Sequence, residues 1–228
     1  MESFKIIENK PVHDFPRLSL LMGRPKIGKS TIMSKLSDAL ILATDTKGYD
    51  DIEVKALVKI TSIQELNSVI KYFFSEENKI YKFLVIDEIR SLTSMYDQLI
   101  KKKEGVKYSV DIGYGRGAAY LKDDIYTLIQ ALKIRLTECK NKYVILVGHA
   151  DDKNNEIRLD ISGKNENMIL GMVDSIGYID RDIDNNSTIN FKIRRGVEFG
   201  SRNKFLSGYE GILEWNNLIK LAKNENGK

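Results

Sequence analysis

Residues Gly23-Arg24-Pro25-Lys26-Ile27-Gly28-Lys29-Ser30-Thr31 carry a glycine, four free positions, then glycine, lysine and a hydroxyl side chain. Each fixed position of that pattern has a physical task at a phosphate. The glycines let backbone N–H groups turn onto the anion, and the lysine neutralises β/γ oxygens. The hydroxyl of Ser30 is free to ligate Mg²⁺, and a helix beginning at the loop adds its positive end. Read this way, Lys29 is expected to be exposed to ligand rather than packed. A second constellation lies downstream, where Phe83, Leu84, Val85 and Ile86 run into the paired carboxylates Asp87 and Glu88. An acid ending a buried strand beyond a phosphate loop suits the metal side of such a site. It also suits an ordinary strand terminus.

These residues need strands and helices to hold them, and the apolar spacing supplies both. Residues 17–22 read as a short buried strand, and Ile32, Met33, Leu36 and Leu40 have helical spacing over 31–40. Further strands are expected at 39–43 and 54–60, and a helix over 63–74. After the Asp87 strand, Leu92, Met95, Tyr96 and Leu99 suggest another helix. The stripe Leu121, Ile125, Leu128, Ile129, Leu132 and Leu136 makes the clearest amphipathic helix. Residues 143–147 form a buried strand ended by Gly148 and His149. Residues 173–183 and 188–194 then flank a polar turn as a β-hairpin, and 212–221 closes as a helix. Strands alternating with helices predict an α/β fold with a mostly parallel sheet flanked by helices.

Length and composition bound the rest. A chain of 228 residues is long enough for one sizeable α/β domain, expected here with a polar tail at about 222–228. Lys plus Arg number 36 against 32 for Asp plus Glu, so the formal charge of +4 permits a nucleic-acid partner without requiring one. The single cysteine, Cys139, excludes an intramolecular disulfide, and its setting suits a packed or inert thiol. No apolar run approaches membrane-spanning length and no apolar leader is evident, so a cytoplasmic protein is expected.

Two segments mix charges in a way that suits a polyanion. The first holds Lys101, Lys102, Lys103, Lys107 and Tyr108, then Tyr114-Gly115-Arg116-Gly117 and Tyr120, where cations would track phosphates and rings would stack on bases. The second, residues 151–171, holds Lys153, Arg158 and Lys164 among acids. A charge run is more usually a solvated face, and that reading stands beside the polyanion one for both segments.

Taken in order, several marks resemble a known family. They are the phosphate loop, the Asp87 strand, Thr44-Asp45-Thr46-Lys47-Gly48-Tyr49-Asp50, Gly148-His149, Ser162-Gly163-Lys164, Val173-Asp174-Ser175-Ile176-Gly177-Tyr178 and Gly200-Ser201-Arg202. Over about residues 15–210 they are similar to phage-encoded RecA-like nucleotide-binding proteins, among them the Sak-type single-strand annealing ATPases. The resemblance implies a RecA-like core with a C-terminal β-hairpin, ATP with Mg²⁺, and work on single-stranded DNA in phage recombination or replication in the host cytoplasm. It also implies a homo-oligomer and contact with phage single-strand-binding or replication proteins. Lys29 and Ser30 would then hold phosphate and Mg²⁺, and Asp87 the metal's water shell. The base would be Asp45, where the family more often has Glu, or Glu88, as in other P-loop ATPases. His149 resembles a γ-phosphate sensor, with a purely structural histidine as the other reading. Arg202 resembles an arginine finger presented by a neighbouring subunit. Two other functions remain open: a small-molecule P-loop kinase, for which no arginine-dense lid is evident, and a nucleotide-dependent interaction module with little hydrolysis.

Overall fold

The computed structural model describes residues 14–45, 47–113, 115–153, 156–161, 165–192 and 199–225. Strand β1 (Leu18–Gly23) is buried along its whole length, as a central strand covered on both faces must be. It leads through the phosphate loop into helix α1 (Lys29–Ser34). Next come β2 (Ala39–Ala43), β3 (Leu57–Lys59), α2 (Ile63–Phe73), β4 (Phe83–Asp87), α3 (Ile89–Glu104) and α4 (Arg116–Glu138), then β5 (Tyr143–Lys153), β6 (Glu156–Leu159) and α5 (Asn165–Met172). The chain ends with β7 (Ser175–Arg181), β8 (Ser187–Asn190), β9 (Gly200–Ser201), β10 (Glu210–Ile212) and α6 (Trp215–Ala222).

The sheet order is β10-β8-β7-β1-β5-β4-β2-β3, and every pairing from β7 to β3 is parallel. Strands β8 and β10 extend it antiparallel, so β7 and β8 form the expected C-terminal hairpin. Two apolar layers cover the sheet. One packs α2, α3, α4 and α5 against one face, and the other packs α1, α6 and Phe15 against the opposite face. This is the expected mostly parallel, helix-flanked α/β architecture, with the phosphate loop between β1 and α1. Helix α6 also braces the loop helix directly, because Trp215 Nε1–H donates to the Ile32 carbonyl at 2.8 Å.

Several boundaries differ from expectation. Helix α1 stops at Ser34 rather than continuing to residue 40, since the chain turns at Asp38 (φ 56°) and Leu40 belongs to β2. Strand β5 does not end at Gly148-His149. It continues to Lys153 because β6 pairs back on it, opposing Asp151 to Arg158. Residues 151–171 are therefore hairpin and helix in their described parts. Ile212 ends β10 instead of opening the last helix, which starts at Trp215. Thr46, Tyr114, Ser162, Gly163, Lys164, Ile193 and Arg194 lie outside the described residues.

Candidate functional site: a P-loop nucleotide pocket

Parallel register gathers the chemistry at one edge of the sheet. Gly23 is paired with His149 across β1 and β5, Asp87 with Val147 across β4 and β5, and Ala43 with Asp87 across β2 and β4. The ends of β1, β2 and β4 thus meet beside His149 of β5, where ligands bind in open α/β sheets. A pocket of about 340 Å³ opens there, lined by Lys26, Gly28, Lys29, Ser30, Thr31, Asp45, Tyr49, Asp87, Glu88 and His149 among others.

Local backbone explains the glycines of the loop. A Cβ at Gly23 would lie 2.6 Å from the Ile179 carbonyl of β7, so only glycine lets the two strands approach. Gly28 has φ +94°, a left-handed conformation that glycine adopts without strain. Lys26 shares the positive φ at 65° and lines the pocket. The Ile27 carbonyl accepts from Arg181, while Arg24 and Pro25 form the outer turn, where the Arg24 carbonyl accepts from Lys29.

Lys29 is buried to 6% exposure, contrary to the expectation that it is exposed rather than packed. Its Nζ lies 3.0 Å from each of the Gly23 carbonyl, the Arg24 carbonyl and His149 Nδ1. A protonated lysine has three N–H donors, and these are three acceptors. With Lys29 as the donor, His149 Nδ1 is the acceptor, and the other ring nitrogen, Nε2, lies 2.5 Å from Glu88 Oε2. Desolvation pulls the Lys29 pKa down, and the charges of Asp87 and Glu88 oppose it.

The two carboxylates are held differently. Ser30 Oγ–H donates to Asp87 Oδ2 at 2.9 Å, and Tyr49 O–H donates to the same oxygen at 2.6 Å. Burial nevertheless pushes the Asp87 carboxyl above its ordinary range, with Glu88 adding to the shift and Tyr49, Ser30 and Lys29 opposing it. For Glu88, burial also disfavours ionisation, but His149, Ser91 and Lys29 outweigh it and hold the carboxyl below its ordinary range. The Ser91 hydroxyl donates to Glu88 Oε1 at 3.2 Å, and Thr44 Oγ1 closes a reciprocal pair with the Glu88 backbone at 2.7 and 2.8 Å.

This donor set fits a divalent cation. Ser30 gives its proton to Asp87 and keeps its oxygen lone pairs available, and a buried carboxylate with a raised pKa is one that a hard cation would stabilise.

Asp45 lines the pocket from the exposed turn after β2, and its Oδ1 accepts from the Lys47 N–H at 3.2 Å. Arg202 is not part of this pocket. It follows β9, whose Ser201 pairs with Ser175 at the start of β7, and its guanidinium lies 3.4 Å from Asp174. The pocket lies beyond the other end of β7, roughly 20 Å away at the rise of a seven-residue strand.

Sequence reasoning missed three participants: Thr44, Tyr49 and Arg181. Arg181 ends β7 over the loop, with Nε donating to the Ile27 carbonyl at 3.2 Å and NH1 to the Asn185 carbonyl at 2.7 Å. Nothing in its local spacing marks it, because the hairpin brings it there. Thr44 and Tyr49 fall inside the turn quoted for the resemblance, but their partners lie about forty residues away.

A family profile described as "AAA domain" matches residues 16–208, most of the chain. The chain belongs to the AAA-domain family. Its phosphate loop and mostly parallel sheet are those of a P-loop NTPase fold. No curated protein matches its sequence. Among solved structures it is similar to a KaiC-like protein of the hyperthermophilic archaeon Pyrococcus horikoshii OT3, with 15% identity, 90% of this chain and 87% of that one covered, and a TM-score of 0.47. It is also similar to the RadB recombinase, with 13% identity, 87% of each chain covered and a TM-score of 0.45. Among the described residues no helix is long and apolar enough to cross a membrane.

Proposed function

We propose that the chain binds ATP with Mg²⁺ in this pocket, hydrolyses it, and couples turnover to single-stranded DNA. The carrying observation is the convergence of Lys29, Ser30, Asp87, Glu88 and His149 at one sheet edge. Lys29 would leave one or more of its three internal acceptors to meet phosphate. Ser30 and Asp87 would hold the cation, which when bound neutralises charge developing on the phosphate oxygens. Glu88 is the residue we assign to orient the attacking water. It is buried, held ionised and fixed by His149 and Ser91, whereas the Asp45 carboxylate is exposed and turned to the Lys47 N–H. His149 touches both Lys29 and Glu88, so a lysine drawn to phosphate would release Nδ1 and change the hold on Glu88. This supports a sensor role over a merely structural one.

Helix α3 begins immediately after Glu88 and carries Lys101, Lys102 and Lys103 in its last turn, so one rigid element links the proposed base to the basic segment. Within that segment Lys101 is paired with Asp97 at 2.5 Å, and the Arg116 guanidinium donates to Tyr120 O–H at 2.6 Å. Lys102 and Lys103 are exposed, Tyr108 is 55% exposed, and Lys107 lies 5.3 Å from its ring. These groups are the proposed phosphate and base contacts. In the second segment Arg158 faces Asp151 in register, which makes it the weaker candidate. Arg202, remote from its own pocket, would act only as a finger for a neighbouring copy in a homo-oligomer. The family resemblance supports phage recombination or replication in a host cytoplasm as the setting, with phage single-strand-binding or replication proteins as partners. The test is the ATPase rate with and without single-stranded DNA. Stimulation is expected, and a chain that binds ATP without hydrolysing it under either condition refutes the enzyme reading.

A further inference from the structure

Tyr49 stands outside the phosphate-binding pattern, yet it reaches the acid on which that pattern depends. Its ring is buried to 4% exposure in the apolar layer that also holds Ile32, Ala43 and Val85. Its hydroxyl emerges at the pocket wall and donates to Asp87 Oδ2 at 2.6 Å. The same oxygen takes the Ser30 hydroxyl at 2.9 Å, while Oδ1 makes no hydrogen bond among the described residues. The tyrosine is itself anchored. The Ile52 N–H donates to its carbonyl at 3.2 Å, and the Asp45 carbonyl accepts from Gly48 N–H at 3.4 Å just upstream. Burial and the neighbouring carboxylate keep the phenol protonated, so towards Asp87 it acts as a donor.

We propose that Tyr49 is a positioning residue for the divalent cation: with Ser30 it pins Asp87 Oδ2, leaving Oδ1 to the water shell of Mg²⁺. This rests on the ATP-binding reading above. A carboxylate with one oxygen fixed by two donors has lost the rotation that would otherwise smear its second oxygen over several directions. Such a hydrogen bond to a charged acceptor is among the stronger kind. Loss of the donor should therefore appear in the cation's affinity and leave the nucleotide's own contacts alone.

Tyr49→Phe keeps the buried ring and removes only the hydroxyl. Binding of a fluorescent ATP analogue is measured in EDTA and then across a Mg²⁺ titration, for wild type and variant, below the melting temperature of both. In EDTA the two should bind alike. The Mg²⁺ concentration giving half of the metal-dependent gain should rise about tenfold to a hundredfold in the variant. An unchanged Mg²⁺ midpoint overturns the proposal. Equal loss of binding in EDTA and in Mg²⁺ also overturns it, because that pattern marks a tyrosine that merely supports the pocket. A Mg²⁺ titration of the melting temperature at saturating ATP gives the same discrimination if the variant is less stable. Wild type showing no binding under either condition defeats the ATP reading itself, and the role of Tyr49 with it.

Discussion

Replacing Lys29 by Ala tests both halves of the site's description, since this side chain is at once ligand-facing and structural. The structure gives it three partners at 3.0 Å, and two carboxylates whose charge it offsets. A net contribution of roughly 1 kcal/mol per hydrogen bond makes the loss about 3 kcal/mol, with water entering the open pocket keeping it from rising much higher. For a domain of this size that predicts a melting temperature lower by about 6–12 °C. Nucleotide supplies the second reading. ATP at a hundredfold its Kd stabilises wild type by about 2.7 kcal/mol. That corresponds to an upward shift of roughly 5–11 °C, which the variant should lack. The assay is thermal melting of both proteins with and without Mg²⁺ and ATP. A variant that melts with wild type in the absence of ligand refutes the structural role drawn from burial. One that keeps the full ATP shift refutes the assignment of the loop as the phosphate site.

Three further outcomes follow from the same geometry. Glu88→Gln should slow turnover by about a hundredfold or more while ATP affinity is kept, and Asp45→Asn should slow it far less; the reverse ranking in single-turnover rates transfers the role to Asp45. Burial makes the folded state hold the Asp87 proton more tightly than the unfolded chain does, so the ionised form is a liability above the folded pKa that fades as pH falls through it. Asp87→Asn should accordingly melt above wild type at mildly alkaline pH without nucleotide, with the gap closing towards acid pH and Mg²⁺-dependent ATP binding lost; a gap that widens on acidification contradicts this sign. For DNA, Lys102→Ala, Lys103→Ala and Lys107→Ala combined should shallow the salt dependence of single-strand affinity by about 2 if each contacts one phosphate. Tyr108→Ala should instead cost roughly 1–3 kcal/mol with the slope kept. Binding unaffected by either change makes the segment a solvated connector.

What was legible in the sequence was whatever short-range pattern determines. The phosphate loop, the apolar run into Asp87-Glu88 and the stripe of α4 each state their structure within a window of a dozen residues, and the alternation of strands with helices gave the parallel α/β class. Boundaries failed where a distant partner decides them. Strand β5 runs past His149 only because β6 returns to pair with it, and Leu40, at helical spacing from Leu36, is taken by β2 because β4 lies beside it. The candidate site divides along the same line. Lys29, Ser30 and Asp87 could be named from spacing, because the chemistry of phosphate demands those types at those positions. Their electrostatic state could not. Whether Lys29 is packed, which nitrogen of His149 faces it, and why Asp87 and Glu88 shift in opposite directions all depend on groups brought together by register between β1, β4 and β5. Tyr49 and Arg181 are the clearest cases. One reaches Asp87 across thirty-eight residues and the other reaches Ile27 across more than one hundred and fifty, so each acquires its place at the pocket only when the sheet closes.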